Sequence, residues 1–212
     1  MAPRRAAGRV LSIAAERLLS ALAEPGCPVC RCLDADARRD LAAFLREQTM
    51  DPAGRAALRR AGGFCAWHTG LLREAADGIL SVALLAEDLI GAPLAGVRCP
   101  ACAGLRPRVA EYLEALLQPT VPPALERGPA LPCRPHLRAL RGLARRAPGL
   151  PVLERAVGQR VARLRAELAA FIAKQDYRAR ERPTAEEAEA WSRALEHLAG
   201  RARLFGSDLP RP

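Results

Sequence analysis

Apolar residues recur at helical spacing along nearly the whole chain, and no alternating stretch is long enough to predict a strand. Leu11, Ala14, Leu18 and Leu22 step by three and four and predict a first helix over about 10–23, stopped by Pro25-Gly26. A second helix is predicted over about 33–48, with Leu41, Phe44 and Leu45 inward. Asp51-Pro52 reads as an N-cap followed by proline at the first helical position, opening a short helix that ends at Gly62-Gly63. Leu71, Leu72, Ala75, Ile79, Val82 and Leu89 then predict one long apolar face, running from His68 to Gly91-Ala92-Pro93. A fifth helix over about 103–118 carries Leu105, Val109, Tyr112, Leu113 and Leu116 on one side.

The segment 119–132 holds five prolines and reads as the clearest loop. A helix follows His136 and breaks at Pro148-Gly149. Leu153, Val157, Val161, Leu164, Leu168 and Phe171 then mark the best-defined helix in the chain. Thr184-Ala185-Glu186-Glu187 is a capping-box sequence and opens a last helix with Trp191, Leu195 and Leu198, which stops at Gly200.

Composition supports this reading. Ala, Leu and Arg dominate and aromatics make up only 4% of 212 residues, so propensity points to an all-α fold with an aliphatic core. The formal charge is +10, carried almost entirely by arginine, since Lys174 is the only lysine. Such a bias follows more readily from a GC-rich genome than from contacts with phosphate. The first 22 residues are basic and then apolar, but Glu16 and Arg17 interrupt the run, unlike a secretory leader. The longest other apolar stretch, 79–86, is far short of the roughly 20 residues that cross a membrane. The expectation is a cytoplasmic protein with no membrane span.

The cysteines carry the chemistry. Cys27-Pro-Val-Cys30 is followed by Cys65-Ala-Trp-His68, and Cys99-Pro-Ala-Cys102 by Cys133-Arg-Pro-His136. The repeated order CPxC, helices, CxxH, helix reads as an internal duplication, with 72 residues between the knuckles and 68 between the CxxH pairs. Two residues between ligands let both side chains reach one ion, and backbone N–H groups at the following helix start favour thiolate. The expectation is two closed, structural zinc sites: Cys27, Cys30, Cys65 and His68, then Cys99, Cys102, Cys133 and His136. Two such sites lower the net charge to about +8. An odd cysteine count and matched histidines argue against disulfides. An iron–sulfur cluster more often has four cysteines, and catalytic zinc usually keeps one position open. Cys32 has no counterpart in the second half, where Gly104 stands, and reads as a small apolar residue outside the sites.

The two CPxC knuckles, Gly63-Phe64-Cys65-Ala-Trp-His68, Cys133-Arg-Pro-His136-Leu137 and a closing Phe171-Ile172-Ala-Lys174-Gln-Asp176-Tyr177-Arg178, continuing through Glu181 to Trp191, Ala194, Leu195 and Gly200, carry a resemblance. Together they resemble an uncharacterised bacterial and archaeal family classified only as a domain of unknown function. The likeness covers nearly the whole chain and implies an all-helical, zinc-bound protein with no established activity. Gln175 departs from the family pattern, in which histidine is common at that position.

Lys174, Asp176, Tyr177, Arg178, Glu181 and Trp191 form the candidate surface for a partner or ligand, Tyr, Trp and Arg being frequent anchors of such surfaces. The same residues have a local structural reading, with short-range ion pairs and with Tyr177 and Trp191 packing the last two helices together. His197 reads as a surface or packing histidine. From Arg127 to Arg165 there are ten arginines against one acid, Glu154. Arg155, Arg163 and Arg165 fall off the apolar stripe, as on a solvated face. No recognition helix, nucleophile–base pair or phosphate loop accompanies them.

The predicted architecture is two zinc-stapled helical modules, 1–95 and 96–150, and a C-terminal helical pair with a short tail, 151–212, packed as one domain. The predicted function is a non-enzymatic binding or scaffold protein. The alternatives are a nucleic-acid-associated factor using 127–165, and an enzyme using the region from Asp176 to Glu181.

Overall fold

The computed structural model describes residues 12–74, 78–91, 98–178 and 180–201. Val10, Leu11, Ala75, Ala92 and Pro93, which entered the helix predictions above, lie outside the described residues. The described residues are all-helical: α1 (Ile13–Ala21), α2 (Pro28–Glu47), α3 (Pro52–Arg60), α4 (Ala66–Arg73), α5 (Ile79–Ile90), α6 (Pro100–Ala115), α7 (Val121–Arg127), α8 (Arg134–Leu143), α9 (Leu150–Ala173) and α10 (Ala185–Ala199). Among them no helix is long and apolar enough to cross a membrane.

Local chemistry sets most boundaries. The Asp51 carboxylate accepts from the backbone N–H groups of Ala53 and Gly54 and caps α3. At the other end Gly63 N–H reaches the Leu58 carbonyl and Gly62 N–H that of Arg59, with both glycines at positive φ. This is the Schellman stop that glycine makes cheap. At α10 both capping-box bonds form, between Thr184 and Glu187. Three predictions need correction. The α2 and α6 helices begin inside the knuckles, with Cys27 and Cys99 as N-caps and proline next. The face predicted as continuous from His68 to Gly91 is split between α4 and α5; a side chain at Gly78 would stand 2.9 Å from Leu45, so glycine there lets the chain approach α2. The proline-rich 119–132 contains α7, because Pro122 and Pro123 fall in its first turn, where N–H groups have no intrahelical acceptor.

The centre of the fold is the pair α2 and α6. Asp40 meets Arg108 at 2.7 Å and Asp36 meets Tyr112 at 2.8 Å, so the two helices run antiparallel. Fully buried Leu33, Leu105, Val109 and Leu113 lie on these two helices, with Leu18 of α1 and Leu140 of α8 in the same core. The α9 helix continues that core through Leu153, Val157 and Leu164 and packs on α7. The α10 helix packs along α9 and reaches α8. It turns Ala190 and Ala194 toward the core and leaves Trp191, Leu195 and Leu198 about half exposed, at 55%, 57% and 49%.

Candidate metal centres

The eight ligand candidates gather into two quartets, but not by half of the chain. One quartet is Cys27, Cys30, Cys133 and His136; the other is Cys65, His68, Cys99 and Cys102. Each knuckle therefore meets the CxxH of the opposite half, which corrects the pairing predicted from motif order. The reason lies in helix length. From Cys30 to Phe44 the α2 helix climbs about 21 Å at 1.5 Å per residue. Phe44, near its far end, touches Phe64 edge-on at 5.4 Å between ring centroids, next to Cys65. The first CxxH thus returns at the far end of its own half's long helix. Antiparallel packing brings the start of α6 to that end, with Cys99 and Cys102, and the start of α8 to the other.

Backbone hydrogen bonds hold each crossed pair. Leu131 N–H donates to the Gly26 carbonyl at 2.9 Å, and Arg98 N–H donates to the Ala61 carbonyl at 2.7 Å. Each bond joins the segment before a knuckle to the segment before its CxxH partner. Gly26 is at φ +96°, and a side chain there would collide with the Glu196 carboxylate at 2.6 Å. That carboxylate accepts from Cys27 N–H at 3.1 Å.

The donor geometry suits a tetrahedral ion. With zinc–sulfur bonds of about 2.3 Å, two ligand sulfurs lie about 3.8 Å apart, and sulfur and nitrogen about 3.6 Å apart. Cys30 and Cys133 Sγ are 3.8 Å apart, and Cys65 and Cys102 Sγ 3.6 Å. His136 Nδ1 lies 3.6, 3.5 and 3.1 Å from the sulfurs of Cys27, Cys30 and Cys133. His68 Nδ1 lies 3.2, 3.3 and 3.5 Å from those of Cys65, Cys99 and Cys102. All seven cysteines are free thiols, and a disulfide needs sulfurs about 2 Å apart. Both quartets could hold a metal ion.

Electrostatics point the same way. In the first quartet burial, with the neighbouring Cys133 and Cys30, pushes the Cys27 thiol well up, while hydrogen bonds from Cys133 and Cys27 hold Cys30 far below its ordinary value. In the second, burial and Cys65 raise Cys102. Burial also works against ionising Cys65, but the His68 and Trp67 backbone N–H groups and the neighbouring thiols outweigh it, and its value falls. Each quartet thus sets a thiol whose value falls beside one whose value rises, Cys30 beside Cys27 and Cys65 beside Cys102. A divalent cation removes that conflict by making every thiolate favourable. Burial also lowers the His68 value and keeps the ring neutral, the form that ligates.

The two quartets differ in cover. Cys27, Cys30, Cys133 and His136 are all at most 1% exposed. The α10 end closes over them: Arg201 N–H donates to Cys30 Sγ at 3.4 Å, and His197 Nδ1 lies 2.9 Å from the Pro132 carbonyl. Cys65 and Cys102 are partly exposed, and His68 Nε2 is buried with no hydrogen-bond partner. Metal-bound histidines usually donate from that second nitrogen.

The other sequence candidates fall elsewhere. Lys174 Nζ bonds both Glu187 oxygens at 3.0 and 2.9 Å and lies 3.7 Å from Glu181. Arg178 donates to the Tyr177 hydroxyl at 2.7 Å and packs over its ring, while Asp176 accepts from Arg178 N–H. Tyr177 is 86% exposed, so ion pairs, Lys174–Glu187 and Arg193–Glu167 (2.9 Å), rather than Tyr177, join α9 to α10. Of the ten arginines in 127–165, Arg160 is buried and donates to the Pro129 carbonyl at 3.0 Å, and the other nine are exposed. Sequence reasoning missed Asp36, a fully buried carboxylate held by Tyr112, Arg17 and Arg39. Asp36 lies between buried Cys32 and Leu33 on one side and the charged Arg39 and Asp40 on the other, at the edge of the apolar stripe, where a carboxylate reads as solvated.

No family model matches the chain, and neither a curated protein nor a solved structure is found that matches it.

Proposed function

We propose that this is a zinc protein with two structural Cys3His centres, acting as a non-enzymatic binding or scaffold protein. The observation that carries the reading is the pair of crossed quartets, each with three sulfurs and one Nδ1 within 4.8 Å of one another. Cys27, Cys30, Cys133 and His136 bind one ion, and Cys65, His68, Cys99 and Cys102 the other. Four protein ligands leave no position for substrate, which separates these centres from catalytic zinc. The two halves are repeats of one helical unit, corresponding to 1–95 and 96–150, with 151–212 packed on them as a helical pair. Elemental analysis of the purified chain is expected to give close to two zinc ions per chain; iron, or no metal, would overturn the proposal.

The partner surface is assigned to the C-terminal pair. Trp191, Leu195 and Leu198 stand exposed at positions i, i+4 and i+7 of one helix, a pattern suited to protein contact. Tyr177 and Arg178, exposed at the end of α9, belong to the same surface, with Lys174, Asp176 and Glu181 as its polar residues. Trp191→Ala is expected to abolish co-purification of a partner with helix content unchanged, whereas an unaltered partner profile counts against the surface. The exposed arginines of 127–165 favour a second reading, association with nucleic acid, which predicts binding of arbitrary DNA or RNA that is strongest at low salt.

A further inference from the structure

A cavity of about 330 Å³ opens between α1, α2 and α6 and is lined by none of the eight quartet residues. That volume sits at the lower end of the range for small-ligand pockets, about 300–1,000 Å³. Asp36 and Tyr112, both buried, line it together with Arg17, Arg31, Arg39 and Cys32. Arg17 and Arg39 each place one Nη1 on the same Asp36 oxygen, at 2.9 and 2.8 Å, and the Tyr112 hydroxyl donates to the other oxygen at 2.8 Å.

The arrangement over-neutralises the carboxylate. Three guanidiniums, those of Arg17, Arg31 and Arg39, line the cavity with one carboxylate, and burial pushes the Tyr112 hydroxyl up to about 12, so the tyrosine adds no negative charge. A guanidinium offers five N–H donors in a planar fork, and two forks that converge on one oxygen have donors left to grip a second oxyanion. Arg31 commits its Nη2 to the Pro25 carbonyl, while its Nε is buried with no acceptor in the protein. The rest of the wall comes from Ala21, Ala35, Cys32 and Ser20, whose hydroxyl donates to the Glu16 carbonyl.

We propose that this cavity binds a small organic anion, with a carboxylate or phosphate head between Arg17 and Arg39 and a compact apolar body against Cys32 and Ala35. The site is independent of the metal assignment, because none of its lining residues is a candidate ligand.

Titration calorimetry of the full chain at low salt tests it, with benzoate, phenyl phosphate, inorganic phosphate and the neutral isostere benzamide as probes. Benzoate or phenyl phosphate is expected to bind at least tenfold more tightly than benzamide, and phenyl phosphate more tightly than inorganic phosphate. The tighter of the two organic anions identifies the head group. Arg39→Met is expected to weaken that binding at least tenfold, and Arg60→Met, which removes an exposed arginine of α3, to leave it unchanged. Ala35→Phe keeps every arginine, fills the cavity and is expected to abolish binding, which separates loss of the site from loss of charge. The proposal is overturned if no organic anion binds, if benzamide matches benzoate, if inorganic phosphate matches phenyl phosphate, or if binding survives either Arg39→Met or Ala35→Phe.

Discussion

At the scale of single residues, the crossing of the quartets makes metal content a sharp readout of which cysteines share an ion. Cys27→Ala with Cys133→Ala removes two ligands of one quartet and leaves the other complete, so this double variant is expected to keep one zinc ion per chain. Cys27→Ala with Cys65→Ala damages both quartets and is expected to keep none. Pairing by half of the chain would give the reverse result, and metal analysis of the two purified variants decides between them. Cys32→Ala changes neither quartet and should retain both ions. These ligands were legible as residues because CxxC and CxxH are local patterns: two intervening residues at a helix start suffice to converge two donors. Asp36 was not legible, since its burial depends on Tyr112, 76 residues away on another helix.

At the scale of elements, the knuckles show how a helix start and a ligand set are made together. Cys27 and Cys99 are N-caps whose side chains accept no cap bond, so their sulfurs are left to face an ion while proline opens the helix behind them. The α9–α10 junction relies on different chemistry. Glu187 closes the capping box and also receives Lys174, and those two hydrogen-bonding partners, Lys174 first, hold its carboxyl below the usual range. A depressed carboxylate contributes stability that is complete above its unfolded value, about 4.3, and is lost as pH falls through the lower folded value. The α10 docking is therefore expected to persist at pH 5 and to loosen only below about pH 4, followed by the fluorescence of Trp191. Thr184→Ala removes the cap and is expected to cost about 1 kcal/mol in denaturant unfolding. The capping box was readable from four consecutive residues, whereas α7 was hidden because prolines break a helix anywhere but its first turn.

At the scale of the whole molecule, each metal centre would tie the start of a long central helix to the start of a short helix from the other half. Structural zinc contributes an apparent 10–16 kcal/mol per site in small peptides, comparable to the stability of a domain, so chelation is expected to unfold the chain rather than loosen one part. The two centres should not respond together. Cys65 and Cys102 are partly exposed, while the first quartet is sealed under α10. Zinc release to a chelator, monitored with a colorimetric dye, is expected in two phases, with the Cys65–His68–Cys99–Cys102 ion leaving first. Release in a single phase, or first loss from the Cys27 centre, would show that exposure does not govern access.

The amino-acid sequence by itself determined what is decided within a few residues: the all-helical character, the capped helix ends at Asp51, Gly62 and Thr184, and the eight residues able to ligate. Tertiary structure alone decided which of them meet. The long α2 helix carries its own CxxH about 21 Å from its own knuckle, and the antiparallel α6 helix delivers the other knuckle to that place. Tertiary structure also decided that α10 buries alanines and exposes Trp191. Periodicity identifies an apolar face, but the neighbouring helices choose which face is covered.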